Sequence, residues 1–268
     1  MYVAYECHYV QPKSVESYLS GICNQLEMCH PEVHALRRHP LVTRTLAGCK
    51  KLFSKPTQRK AALTVDNLEH AAAQLTQSYD DKLFLAMLYT GFFGLHRLAE
   101  LTDHDKPAFR SYRKTIMRAT VRIEGDAYTY LLPGHKADRF YEGNTVRITR
   151  QQRGPDPYAV FSGYVAARDQ SRNALHPALW VNAGGDVPTR SWFTTRLKRL
   201  FPDATIGGHS MRPGGATFYA VDGMPGEYIQ VLGRWSSDAF QMYIRKHPVV
   251  LHALLQARRE ENAGQHRA

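Results

Sequence analysis

Apolar residues recur along this chain with two different periods, and the change of period separates its regions. In residues 14–28, Val15, Tyr18, Leu19, Ile22 and Leu26 fall at helical spacing behind Ser14, a side chain suited to cap the first turn. The stretch 41–53 predicts a second helix with Leu41, Thr45, Leu46 and Cys49 on one side. The segment 54–62, SKPTQRKAA, is polar and basic with one proline, the composition of a linker. A small helical module over 1–60 and a larger domain over 61–268 follow from that break. In the larger part, Thr64 opens a helix (TVDNLEHAAAQL), and DKLFLAMLYTGFFG (81–94) reads as a buried helix ending near a glycine.

After residue 100 the pattern turns β-rich. The runs 115–125 and 126–134 meet at Gly125-Asp126, and 144–150 is a third, which together predict a small antiparallel sheet set between helices. Helices are predicted near 157–170, 189–200 and 213–221, with shorter ones around 225–242 and 248–260. The expected fold class is mainly α with one small antiparallel β-sheet.

Composition changes this picture in three ways. A chain of 268 residues, 43% hydrophobic and 22% charged, is an ordinary globular sequence with room for two cores. No apolar run approaches the ~20 residues that cross a bilayer. The start, MYVAYECHYVQPK, lacks the order of a secretory signal, so no membrane and an intracellular location are expected. The 35 Lys+Arg against 24 Asp+Glu leave a net charge of +11, which suits a polyanionic partner. Cys7, Cys23, Cys29 and Cys49 match no paired zinc spacing, and Cys29, His34 and His39 do not share a helical face. Reduced thiols, with neither disulfide nor metal, are expected.

Three short islands and one loop hold the residues with chemistry to offer. The first, TGFFGLHRLAEL (90–101), sets Arg97 three residues before Glu100. The second, GGHSMRPGGAT (207–217), contains His209-x-x-Arg212, and the third, VLGRWSSDAFQMYIR (231–245), contains Tyr243. Lys136 lies between the first two, in LLPGHKADRF (131–140). Breaking a phosphodiester without a metal needs these residue types. Arginines offer fixed charge and paired N–H donors to the non-bridging oxygens. A histidine can exchange protons, and a lysine can protonate the leaving oxygen. A phenol beside cations is a tenable nucleophile. Alone, each island also reads as an ordinary polar cluster; their joint order gives the set its meaning.

That set resembles the tyrosine recombinase (phage integrase) superfamily, over roughly residues 60–260. The order Arg…Lys…His-x-x-Arg…Tyr is similar to its catalytic set, and GRWSSDAFQMYIR resembles the Crypton-type eukaryotic branch, implying a mobile element. By this resemblance Arg97 and Arg212 would clamp the scissile phosphate, and Lys136 would act as general acid. His209 would assist proton transfer, Glu100 would brace the site, and Tyr243 would form a 3′-phosphotyrosine link. It implies no cofactor and no metal. Where the superfamily usually has His or Trp directly after L-G, this chain has Arg234 and then Trp235. Either Trp235 shifts into that role or Arg234 replaces it. Pro213 predicts that Arg212 sits at a helix entrance with extended backbone.

Double-stranded DNA is the expected partner. TRSWFTTRLKRL (189–200) predicts an amphipathic helix with Trp192, Phe193, Leu197 and Leu200 inward, leaving Arg190, Arg196, Lys198 and Arg199 for phosphates or the major groove. Lys55, Arg59 and Lys60 in the linker would track the backbone. The resemblance implies that residues 1–60 form the core-binding (SAM-like) half of a DNA clamp, short for that module. It also implies that the C-terminal helix docks on a neighbouring protomer, giving a homo-oligomer, a tetramer on DNA. In a eukaryote the location would be the nucleus. The alternatives are a domesticated DNA-binding protein without cutting activity, and a type IB topoisomerase-like relaxase.

Overall fold

In a computed structural model of the 268-residue chain, all residues are described except 56–59, 76–77, 135–142, 153, 204 and 237–268. Arg59, Lys136, Tyr243 and the helix predicted at 248–260 therefore lie outside the described residues. The chain divides into two compact units, Met1–Arg59 and Lys60–Ala268.

Among the described residues of the first unit are four helices: α1 (Tyr2–Tyr9), α2 (Pro12–Leu26), α3 (Val33–Arg38) and α4 (Pro40–Phe53). Helix α2 begins two residues before the expected cap. Pro12, whose ring suits a first helical position, starts it, and Ser14 lies inside the first turn. His39 caps α4 by accepting from the Leu41 amide at 3.2 Å. Leu41 itself is exposed, and Val42 takes its expected place beside Leu46 and Cys49. Val3, Cys7, Val15 and Cys49 form the small core. All four cysteines are free thiols, and burial together with neighbouring Cys49 pushes the Cys7 thiol up to about 11.

The second unit is built on one buried helix. Helix α5 (Val65–Gln74) opens with Thr64 and Asn67 capping each other's backbone amides. Helix α6 (Tyr79–Phe93) has every residue from Leu83 to Phe93 buried, so no face is left for solvent. A short helix α7 (Leu98–Leu101) follows. Strands β1 (Arg122–Glu124), β2 (Ala127–Leu132) and β3 (Asn144–Thr149) pair antiparallel in that order, with Tyr130 opposite Val146. Gly125, at φ +57, makes the tight β1–β2 turn. On β2 Tyr128, Tyr130 and Leu132 alternate into the core.

The strand expected over 115–125 is confined to its last residues. The Ile116 carbonyl and Arg118 amide pair instead with Leu179 and Pro177, and a 3₁₀ turn follows at Arg118–Thr120. Helix α8 (Pro157–Asp169) packs against α6 and carries a fully buried arginine, Arg168. Its guanidinium donates to the carbonyls of Ala174, His176, Ala178 and Leu179 and pairs with Asp169 at 2.8 Å. One side chain thus satisfies the backbone of an irregular buried segment.

Helix α9 (Arg190–Leu200) buries Phe193 and Leu197 as expected. Helix α10 (Met211–Val221) begins two residues earlier than predicted, which makes Arg212 helical rather than extended. Pro213 is tolerated there because amides of a first turn have no intrahelical acceptor. Helix α11 (Gly226–Leu232) closes the described chain and stops at Gly233, where the sequence pattern ran on toward 242.

Candidate active site

Two helix ends of the same construction bring the first and third islands together. At the end of α6, Leu95 adopts the left-handed conformation (φ 51), and the His96 amide reaches back to the Gly91 carbonyl at 2.9 Å. At the end of α11, Arg234 is left-handed (φ 56), and the Trp235 amide reaches the Gln230 carbonyl at 3.1 Å. Both are Schellman caps, in which glycine usually takes the left-handed position. Here the glycines, Gly94 and Gly233, stand one residue too early. A left-handed non-glycine residue costs about 1–2 kcal/mol, and the contacts of these two residues offset it.

The Leu95 carbonyl, exposed by its cap, accepts from Arg212 Nη1 at 2.7 Å and Arg234 Nη2 at 3.4 Å. Arg212 also donates to the Gly233 carbonyl, and its guanidinium carbon lies 4.0 Å from the centroid of the Trp235 ring. Helix α10 can approach this closely because it presents glycines. A Cβ on Gly215 would stand 2.0 Å from the Phe92 carbonyl oxygen, and one on Gly214 would stand 2.4 Å from that of Leu63.

Glu100 is the hub. Its Oε1 accepts from Arg97 Nη1 at 3.0 Å; its Oε2 accepts from His96 Nδ1 (3.0 Å), the Arg97 amide (3.2 Å) and Arg234 Nη2 (3.3 Å). Burial alone would push this carboxyl up. The His96 hydrogen bond and the charges of Arg234 and Arg212 overcome it and hold Glu100 well below the usual range. Burial, joined by the Arg234 charge, lowers His96 to about 4 against the opposing pull of Glu100, so the imidazole is neutral at pH 7. Its Nε2 meets the Tyr130 hydroxyl, which burial pushes far up and keeps protonated. A charged Glu100 can only accept, so the ring proton lies on Nδ1, facing it, and the bare Nε2 accepts from the Tyr130 hydroxyl.

The expected residues divide by place. Arg97 (a third exposed), Glu100, Arg212, Arg234 and Trp235 share one network, and Arg212 is only 6% exposed. Arg234 turns inward to Glu100 and to three backbone carbonyls, those of Leu232, Gly94 and Leu95. Trp235 is the residue laid against Arg212. His209 is exposed on the turn before α10. Lys60 runs its stem past Gly207, two residues from His209. Arg190, Lys198 and Arg199 are exposed on α9, and Lys55 is exposed in the first unit. Arg196 departs from the basic face expected of it. It pairs with Asp80 at 3.0 Å and stacks on Trp192, so its charge is already neutralised. His96 and Tyr130 escaped the sequence reading. The i, i+4 spacing of His96 to Glu100 and the inward parity of Tyr130 were the available signals.

By sequence, no protein-family profile and no characterised protein matches this chain. Solved structures do. XerA recombinase superposes with a TM-score of 0.55 at 14% identity, over 94% of this chain and 84% of that one. XerH site-specific recombinase, bound to its palindromic difH substrate after cleavage, gives 0.51 at 12% identity over 96% and 72%. The Tn1549 transposon integrase, bound to transposon right-end DNA, gives 0.52 at 13% identity over 81% and 78%. The fold, mainly helical with one three-stranded antiparallel sheet, is that of the tyrosine recombinases. Among the described residues, no helix is long and apolar enough to cross a membrane, and no cluster of metal-binding side chains occurs.

Proposed function

We propose that this protein is a site-specific DNA recombinase that cuts and rejoins strands through a 3′-phosphotyrosine intermediate. The observation that carries the reading is the convergence of Arg97, Arg212, Glu100 and Trp235, from three distant stretches, on the paired ends of α6 and α11. In the reaction, the Tyr243 oxygen bonds to phosphorus as the bond to the 5′-oxygen breaks. Lys136 gives that oxygen a proton, the phenol proton passes to His209, and Arg97 and Arg212 balance the charge on the non-bridging oxygens. The phosphotyrosine conserves the energy of the broken bond, so no cofactor or metal is called on.

DNA is the partner, held by Arg190, Lys198 and Arg199 of α9, with Lys55, Arg59 and Lys60 along the backbone. Residues 1–60 serve as the second half of the clamp, ahead of a catalytic domain over 61–268. Assembly into a homo-oligomer on DNA runs through the C-terminal segment. The phrase GRWSSDAFQMYIR supports a mobile-element origin of the Crypton type, acting in a eukaryotic nucleus. One observation favours a second reading, a DNA-binding protein that does not cut: Arg212 is nearly buried and donates to two backbone carbonyls.

The deciding experiment uses DNA selected for binding and nicked near the bound site. Wild type is expected to form an SDS-resistant protein–DNA adduct, and Tyr243→Phe none. Equal adduct from both proteins excludes Tyr243 as nucleophile; tight binding without adduct from wild type establishes the second reading.

A further inference from the structure

Inside the second unit, His96 uses both ring nitrogens in a place without solvent. It is fully buried, with Nδ1 3.0 Å from Glu100 Oε2 and Nε2 hydrogen-bonded to the Tyr130 hydroxyl on β2. The rings of His96 and Tyr130 are stacked, with centroids 5.9 Å apart. The backbone makes room for this imidazole: a Cβ on Gly94 would stand 2.8 Å from His96 Cδ2 and 2.9 Å from Nε2. The ring is set by the left-handed cap at Leu95, which turns the chain so that His96 points inward while Arg97, the next residue, remains partly exposed.

We propose that His96 is the positioning residue of the arginine clamp, held between Tyr130 and the Glu100 carboxylate in the tautomer that donates to Glu100. The chain of cause runs through three bonds. Glu100 can only accept and Tyr130 donates to Nε2, so the ring carries its proton on Nδ1. That proton fixes Oε2 of Glu100. The carboxylate, held in one rotation, presents Oε1 to Arg97 Nη1 and keeps Oε2 toward the Arg97 amide and Arg234. Without the imidazole donor, the carboxylate would be free to turn toward Arg234, and Arg97 would lose its fixed angle. His96 does not touch the phosphate; it acts through Glu100.

This inference rests on the recombinase reading, and its test separates the two. Adduct formation is timed on the nicked DNA in two forms, one with an ordinary scissile phosphodiester and one with a methylphosphonate there. The methylphosphonate lacks the negative charge that the arginines balance, so a defect acting through Arg97 shrinks on it, whereas a general loss of structure does not. His96→Leu is expected to bind DNA within threefold of wild type. It should react at least tenfold slower on the phosphodiester and within threefold of wild type on the methylphosphonate. His96→Asn, whose amide can occupy the place of Nδ1, should stay within threefold of wild type on both. Tyr130→Phe, which removes the second anchor of the ring, should fall between them on the phosphodiester alone. His96→Leu that reacts as fast as wild type, or is slowed equally on both substrates, overturns the inference while leaving the recombinase reading intact. Wild type that makes no adduct on either substrate overturns that reading, and this inference with it.

Discussion

The Glu100 carboxylate sits in a nearly closed space and accepts four hydrogen bonds, from His96, Arg234 and both the amide and guanidinium of Arg97. Such a carboxylate stays charged, and the imidazole beside it stays neutral because burial, then Arg234 and Arg212, oppose a second proton. The consequence is a stability that depends on pH. His96 falls from an ordinary 6.5 to about 4 on folding, so between those values the unfolded chain binds the extra proton and the folded chain does not. Its contribution is fully present above pH 6.5 and is lost as pH falls toward 4. Glu100, also lowered, adds a loss in the same direction at lower pH. Urea denaturation at pH 7 and pH 5 should show a drop of about 2 kcal/mol from His96, and His96→Asn should flatten that dependence. A midpoint that rises on acidification would exclude this electrostatic account. At this scale Arg97, Glu100 and Arg212 were legible in the sequence, because a charged pair at i, i+3 and an arginine among glycines leave a mark. His96 and Tyr130 were not, since i, i+4 spacing and strand parity say which way a side chain faces and not what it meets.

Helices α6 and α10 cross where the second island gives up its side chains. Gly214 and Gly215 lie against backbone atoms of Leu63 and Phe92, and Met211 Sδ would stand 2.4 Å from a Cβ on Gly91. Backbone atoms cannot give way as a flexible side chain can. Gly215→Ala is therefore expected to destabilise the protein by about 3 kcal/mol through overpacking. Gly163 on α8 is exposed with nothing within 4 Å of its missing Cβ, so Gly163→Ala should stabilise by up to about 1 kcal/mol through helix propensity. Chemical denaturation of the two variants measures both, and the same sign for the two would refute the packing argument. Helix interiors followed the apolar period closely. Their ends did not: α2 and α10 begin two residues early, and α11 stops after Leu232. At both Schellman caps a glycine rule would put the stop one residue off, because Leu95 and Arg234 accept the left-handed conformation to gain tertiary contacts.

Across the whole molecule, the charge of +11 is spread unevenly in its usefulness. Arg196 is spent on Asp80 and Trp192, whereas Arg190, Lys198 and Arg199 remain outward on the same helix. If DNA lies along α9, neutralising any one of those three should reduce the slope of log affinity against log salt by about 0.9. Arg196→Met should leave the slope unchanged and lower the unfolding midpoint; an equal fall in slope would place Arg196 on phosphate after all. By itself, the sequence determined the fold class, the break near residue 60 and the islands around Arg97 and Arg212, because periodicity, linker composition and motif order are properties of a string. Only the tertiary structure decided that Arg234 turns inward, that Trp235 lies against Arg212, and that His96 and Tyr130 stand behind Glu100. Those outcomes depend on which carbonyls two left-handed caps expose to one another across the fold, and no local propensity encodes contacts between residues tens to more than a hundred positions apart.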